Sequence, residues 1–372
     1  MRLILVLSAL VCASRLNGAD APIPPKEAPS KMTVPPGFKV TLFAGEGSDG
    51  LDQEFAEYTF PSPGWAPGST AARDESMPAR SFMSDHHAYL RLLMAFAGPM
   101  ADRFDVIHNH SLHHLPVAMA PLLPIPMLTT LHTPPTPWLE SAVQANPAST
   151  RPPGPFAAVS AYIAHEWRVL RSHSVPSVVA NGVDVSAWPA GPGGDVLTWS
   201  GRIVPEKAPH LAIRAARLAG MRLVIAGPMS DLPYFEQAVR PHLGRDVEYA
   251  GHLLVPELSS RVGSSAAVLV TPLWDEPYGL VVAEALASGT PVVAFERGGI
   301  PEVIADPSVG RLVRPGDVQA MADATSAVVG LDRVAVREYA ERYLSVDRMV
   351  TAYERAYRRL ASGSIAEADR TA

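Results

Sequence analysis

The sequence predicts an α/β protein built from two doubly wound parallel-sheet domains. Short apolar runs alternate with amphipathic helical patterns, the rhythm of strand–helix–strand crossovers and so of parallel sheets. That rhythm occurs twice, once on each side of a Pro/Gly-rich stretch at residues 189–194 (PAGPGG). A length of 372 residues suits two or three domains at ~100–200 residues each.

The chain opens on MRLILVLSALVC, which has two readings. Arg2, an apolar run and then Ala19-Asp20-Ala21 have the layout of an export signal with a small-residue cleavage site. Alternatively, residues 3–7 are the first buried parallel strand. Residues 22–36 (PIPPKEAPSKMTVPP) exclude a helix, because each internal Pro removes a donor and clashes with the preceding turn. Residues 1–36 therefore read as a leader ahead of the first domain.

In residues 37–184 the expected elements are a strand at 40–43, a helix at 85–97 carrying Leu90, Leu93 and Met94 on one face, and strands at 106–108, 127–131, 157–159 and 177–179. Ser160 is the expected N-cap of the helix after the fourth of these strands. Residues 52–80, rich in Pro, Gly and Ser, read as a loop or lid. Residues 195–345 form the second domain. Its strands are expected at 196–199, 222–226, 247–249, 267–271 and 291–295, with helices at 210–219, 233–243, 256–263, 279–288 and 317–331. A last helix, 346–360, carries Met349, Tyr353, Ala356, Tyr357 and Leu360 at helical spacing.

Composition removes several functions. Lys and Arg total 31 against 37 Asp and Glu, a net charge of −6, with no basic run, so no nucleic-acid partner is expected. The single cysteine, Cys12, excludes an intrachain disulfide framework and a Cys-based zinc site. No apolar run reaches the ~18 residues of a spanning helix, although a membrane surface stays open as a partner.

The chemistry gathers where strands hand over to helices. Residues 275–293 read DEPYGLVVAEALASGTPVV, with Glu276 ahead of a helix and Glu284 inside it. Gly279 lets backbone approach a ligand, and the free N–H groups of Leu280 and Val281 at the helix start suit phosphate. Glu284 can accept from two neighbouring hydroxyls, as a ribose offers. The plain alternative is a pair of solvated glutamates favoured by the helix dipole. Arg202 and Lys207 lie on one loop, SGRIVPEK, at a strand's C-terminal end, where two cations can neutralise a diphosphate. The alternative there is a surface ion pair of either cation with Glu206. The cluster His108-Asn109-His110-Ser111-Leu112-His113-His114 invites a metal. It lacks an acidic or Cys partner at suitable spacing, so no metal is expected and cleft lining or helix-start packing is preferred.

With these residues in hand, the sequence resembles the retaining glycosyltransferases of family 4. The resemblance rests on Glu276 and Glu284 with seven residues between them, on Ser200–Lys207, on Asn181-Gly182-Val183-Asp184, and on Gly298-Gly299-Ile300-Pro301-Glu302. It covers roughly residues 85–360. It implies a GT-B fold, two Rossmann-like domains facing across a cleft, and transfer of a sugar from a nucleotide-diphosphate sugar without a metal or other cofactor. Further implied are His132, Arg202, Lys207 and Glu276 as catalytic residues; Gly201, Gly279, Leu280, Val281, Glu284, Gly298 and Gly299 as donor-binding; and His108 and His110 on the acceptor side. The family's last helix crosses back to the first domain.

The chain departs from the family twice. Ala208 stands where a Gly usually follows the Lys. No Gly-rich turn follows residues 3–7, although Gly45-Glu46-Gly47 follows the second strand, so a reduced first domain is expected. The acceptor is unassigned among small molecules, lipids and polysaccharides. A cytoplasmic location is expected from the nucleotide-sugar donor, with export as the alternative if residues 1–21 act as a signal. The competing functions are a nucleotide-sugar-binding protein without turnover and another GT-B enzyme such as an epimerase.

Overall fold

In the computed structural model, which describes residues 2–6, 38–45, 58–60, 80–145, 154–168 and 176–363, the apolar runs become strands of two all-parallel sheets. The first sheet contains β1 (Arg2–Val6), β2 (Lys39–Gly45), β3 (Tyr58–Phe60), β4 (Val106–Asn109), β5 (Met127–Leu131), β6 (Phe156–Ala158) and β7 (Ser177–Val178). Their order is β3-β2-β1-β4-β5-β6-β7. Its helices are α1 (Arg80–Ala97), α2 (His114–Met119), α3 (Pro137–Gln144) and α4 (Ala161–Arg168).

The second sheet and its helices follow as β8 (Val196–Ser200), α5 (Pro209–Leu218), β9 (Arg222–Ala226), α6 (Leu232–Ala238), β10 (Val247–Tyr249), α7 (Val255–Gly263), β11 (Ala267–Val270), α8 (Leu280–Ala287), β12 (Val292–Phe295), α9 (Ile300–Val303), β13 (Gly310–Val313) and α10 (Val318–Val328). Helices α11 (Arg333–Tyr343) and α12 (Val346–Ala361) end the described chain. The strand order is β10-β9-β8-β11-β12-β13. In both sheets the first strand is central and the order reverses beside it, the doubly wound topology.

The chain divides into two units. One comprises Met1–Ala158, Ala164–Val178 and Ala352–Ala372; the other Val159–Ile163 and Val179–Thr351. Each has its own core. In the first unit Leu92, Leu93, Phe96, Phe104, Ile107 and Met127 pack together. In the second, Trp199, Ile213, Ile225, Phe235, Phe295 and Met321 do so. Every residue of β4, β5, β11 and β12 is buried, as expected of parallel strands covered on both faces.

Local chemistry sets the helix starts. Asp231, Asp317 and Asp332 accept from backbone N–H groups at the heads of α6, α10 and α11. Ser160 Oγ accepts from Ile163 N at 3.1 Å, the N-cap expected of it. Asn181-Gly182-Val183-Asp184 is pinned to the start of α12: Val183 N donates to Leu344 O (2.8 Å) and Val346 N to Val183 O (2.9 Å).

Several expectations are corrected. Residues 2–6 form β1, paired with β2 and β4, so the strand alternative describes them. Among the described residues the first sheet has seven strands, and the segment that would follow β1 lies outside them. Residues 58–60, inside the stretch read as a loop, pair as an edge strand. The helix expected at 233–243 stops at Ala238, and a 3-10 turn at Arg240–His242 follows. Cys12, the 19–21 cleavage motif, the Pro-rich 22–36 segment and the pair Glu46-Gly47 lie outside the described residues.

Candidate active site

In the second unit the candidate residues meet where the strand order reverses. β8 and β11 are neighbours, and the loops leaving their C-terminal ends are tied together. Leu273 N donates to Glu206 O (2.8 Å), and Thr271 Oγ1 lies 3.1 Å from Lys207 O and 3.0 Å from Ala208 O. Trp199 Nε1, from β8, donates to Thr271 Oγ1 at 3.0 Å. This stitching delivers Lys207 Nζ to Glu276 Oε1 as a hydrogen-bonded ion pair. Trp274 Nε1 donates to the same oxygen at 3.0 Å, and the ammonium sits 4.9 Å from the Trp274 ring centroid. Their side chains are 21% and 11% exposed for Lys207 and Glu276, so the pair is shielded from bulk water while the ammonium keeps further donors for a ligand.

Arg202 stands apart from that pair. Its Nη2 is 3.6 Å from Glu206 Oε1 and both side chains are 41% exposed, the surface pair foreseen as the plain alternative. Gly201 begins this loop, with its N–H on Ala226 O (3.0 Å).

Gly279, in the left-handed region (φ 96°), turns the chain into α8. Among the described residues nothing accepts from the N–H groups of Leu280 and Val281, the first two residues of the helix. These are the orphan donors that hold anions at helix starts. Glu284 is half-buried in the second turn of α8.

Gly298 and Gly299, expected to bind donor, pack their Cα faces on the loop that carries Glu276. A Cβ on Gly298 (φ 55°) would meet Glu276 O at 2.1 Å, and Gly299 N donates to Glu276 O at 2.7 Å. Their smallness lets backbone pack on backbone and holds Glu276 in place. Glu302, in the same motif, accepts from Ala161 N (2.7 Å) and Tyr162 N (2.8 Å) at the start of α4. Ser160 Oγ donates to Pro277 O at 2.6 Å. Thr271, Trp274 and Ser160 were missed as supporting residues. The DEPYGL string marked their neighbourhood, but no local signal marks their partners.

In the first unit the candidates cluster at the ends of β4 and β5, which pair as His108↔Leu128 and Asn109↔Thr129. His132 Nε2 lies 2.9 Å from His110 Nδ1, and His110 Nε2 lies 3.2 Å from His108 Nδ1. That same His108 Nδ1 is 2.6 Å from Tyr357 Oη, and His108 Nε2 is 2.7 Å from Thr130 Oγ1. Tyr353 Oη completes the network, 3.0 Å from Thr130 Oγ1. His108, expected on the acceptor side, is 1% exposed with both ring nitrogens taken by protein partners. His110 likewise bridges two imidazoles.

Burial holds His132 down at about 4 and His110 at about 3, the latter also lowered by His132. His108 is held well below the ordinary histidine range, by burial first and by His110 and His132 next. All three rings are neutral at pH 7. His113 caps α2 by accepting from Leu115 N at 3.2 Å, the helix-start role preferred over a metal. His86 and His114 pack with Phe82 and Trp138.

Residues 194–330 match the family described as glycosyl transferases group 1, and residues 34–187 match glycosyltransferase family 4. The chain belongs to the group 1, family 4 glycosyltransferases. D-inositol 3-phosphate glycosyltransferase of Mycobacteroides abscessus is 36% identical over 43% of this chain. Glycogen synthase of Mycobacterium tuberculosis is 30% identical over 61% of it. The matched stretches span 39% and 60% of those relatives' own lengths.

Among solved structures, a glycosyltransferase of avilamycin A biosynthesis superposes with a TM-score of 0.63 at 23% identity, covering 97% of this chain and 98% of that one. Sucrose-phosphate synthase of Thermosynechococcus elongatus gives 0.68 at 16% identity, covering 97% and 99%. Anabaena HepE, solved with UDP and glucose, gives 0.64 at 18% identity, covering 85% and 91%. The fold of this family member is GT-B, with its two parallel-sheet α/β units.

Proposed function

We propose that this chain is a retaining glycosyltransferase that moves a sugar from a nucleotide-diphosphate sugar to a hydroxyl of an acceptor, without a metal. The reading is carried by the Lys207–Glu276 pair beside the unpartnered N–H groups of α8, at the strand ends where doubly wound sheets bind ligands. Lys207 and Arg202 neutralise the diphosphate, and the α8 N–H groups of Leu280 and Val281 hold a phosphate oxygen. Glu284 accepts from the ribose hydroxyls. Glu276 holds Lys207 on station through its carboxylate. His132, a neutral imidazole, hydrogen-bonds a sugar hydroxyl.

In the reaction the bond from the sugar's anomeric carbon to the diphosphate oxygen breaks. The acceptor oxygen bonds that carbon from the same face, and the departing phosphate takes the acceptor's proton. Cations fixed at the diphosphate act where leaving-group charge develops, so they stabilise the transition state more than the ground state. The acceptor is a small molecule, a lipid headgroup or a polysaccharide. The relatives' printed names, an inositol phosphate glycosyltransferase and a glycogen synthase, support a polyol or sugar hydroxyl.

A panel of UDP-, GDP- and ADP-sugars tests this by calorimetric binding and nucleotide release, with and without a chelator, and by NMR of the product's anomeric configuration. Release that survives chelation and retained configuration are expected. Binding without release, across all candidate acceptors, would leave a nucleotide-sugar-binding protein. An inverted product would overturn the retaining mechanism.

A further inference from the structure

We propose that Tyr357, His108 and His110 form a hydrogen-bonded relay that sets the tautomer of His132, placing its proton on Nε2 and leaving its Nδ1 lone pair to face a ligand. The kinetic consequence rests on the ligand-facing role proposed for His132, whereas the tautomer itself does not.

The argument starts at the buried end. Tyr357 lies on α12, buried, and its hydroxyl has one partner among the described residues, His108 Nδ1 at 2.6 Å. A phenol donates better than it accepts, and burial raises this one's pKa, so its proton stays on and points at Nδ1. His108 Nδ1 is therefore unprotonated, and its N–H is Nε2, which donates to Thr130 Oγ1 at 2.7 Å. His110 Nε2 approaches the same bare Nδ1 at 3.2 Å, sharing its lone pair with Tyr357, and that contact is attractive only when His110 Nε2 carries the proton.

A neutral ring carries one N–H, so His110 Nδ1 is an acceptor. His132 Nε2, 2.9 Å away, then supplies the next proton. The only nitrogen left over is His132 Nδ1, which has no partner among the described residues. Reversing the chain would make Tyr357 an acceptor and leave its own proton buried with no partner among the described residues, which is costly. Each link comes from a different part of the chain: β4, β5 and the C-terminal helix.

This determines what His132 can bind. A bare Nδ1 makes a sugar hydroxyl donate to it, whereas the other tautomer would offer an N–H and turn the same hydroxyl into the acceptor. The relay residues are positioning residues, acting through His132.

Two isosteric variants test the relay in the full chain. Tyr357→Phe removes the phenol that orients it, and Thr130→Val removes the acceptor for His108 Nε2–H. Side-chain 15N labelling of histidine, read by long-range proton–nitrogen correlation, reports each tautomer, with His132→Gln assigning the signal. Wild type should show His132 protonated on Nε2. Both variants should shift it towards Nδ1–H while their circular dichroism stays native. With a competent donor held below saturation, turnover should fall as the Nε2–H fraction falls, through a raised donor KM.

A wild-type His132 protonated on Nδ1, or an unmoved tautomer in both folded variants, would overturn the relay. A tautomer that shifts without any loss of turnover would sink its positioning role. His132→Ala with full turnover would sink instead the role given to His132, leaving the tautomer measurement to stand on its own.

Discussion

At the scale of single residues, the buried ion pair decides most. Glu276 gives one oxygen to both Lys207 and Trp274, so removing its carboxylate strands an ammonium and an indole N–H together. Glu276→Ala should cost about 1.5–3 kcal/mol in denaturant unfolding, in line with a charge-assisted hydrogen bond. Lys207→Ala should reduce turnover by more than it reduces donor affinity, because its charge is needed most where the leaving group forms. Parallel calorimetry and initial rates separate the two, and equal losses would remove Lys207 from the chemistry.

Ala208 is a different case, being the one non-glycine residue in the left-handed region among those described, at φ 48°. Glycine would relieve about 1–2 kcal/mol of strain. It would also loosen the unfolded chain by ~0.4–1 kcal/mol and forfeit a buried methyl worth ~0.8 kcal/mol. Ala208→Gly should therefore change stability by under about 1 kcal/mol. Ala208→Val, β-branched at positive φ and fully buried, should lower the melting temperature clearly.

At the scale of elements, the handover from strand to helix is what builds the site, and glycine backbone sets how closely elements approach. Gly298 leads into α9 and lies on the carbonyl of Glu276. Gly298→Ala should cost roughly 1–3 kcal/mol from the backbone angle alone. It must also push the Glu276 loop away, so donor affinity should fall with stability when both are measured on one preparation. Affinity unchanged in a destabilised variant would show that the loop position does not matter to the donor.

Element reading from sequence worked where periodicity was strong. β8, β9 and β10 sit at their expected positions, and α12 carries the stripe seen in the sequence. It failed for α2, where Pro116 and three histidines near the helix start hide the period, and for β13, four residues long. It also missed α11, whose Arg- and Glu-rich face blurs the apolar repeat even though Asp332 caps it.

At the scale of the whole molecule, buried neutral histidines couple stability to pH. His108, His110, His113, His114 and His132 all have folded-state values below the ordinary 6.5. The unfolded chain binds their protons first as pH falls. For His110 and His132 the stability they protect is therefore full above about 6.5 and drains as pH drops towards 3–4, by about 1.4 kcal/mol per pH unit for each of the two. Thermal melts from pH 7.5 to 4.5 should show that decline, and His110→Gln should flatten it. A flat wild-type profile would mean these imidazoles are hydrated in solution.

The α/β alternation, the family and the short motifs whose chemistry is local are legible along the chain: the glycine turn into α8, the Ser160 cap, and the loop bearing Arg202 and Lys207. Such features depend on residues a few positions apart, so propensity and spacing reveal them. Tertiary structure alone decided which side chains meet. Lys207 and Glu276 are 69 residues apart and touch because β8 and β11 are neighbours in the sheet. His108 and Tyr357 are 249 apart and touch because residues 352–361 of α12 belong to the same compact unit as β4 and β5. Strand order and helix return are settled by burial of whole faces, and no local pattern in the chain encodes the pairings that result.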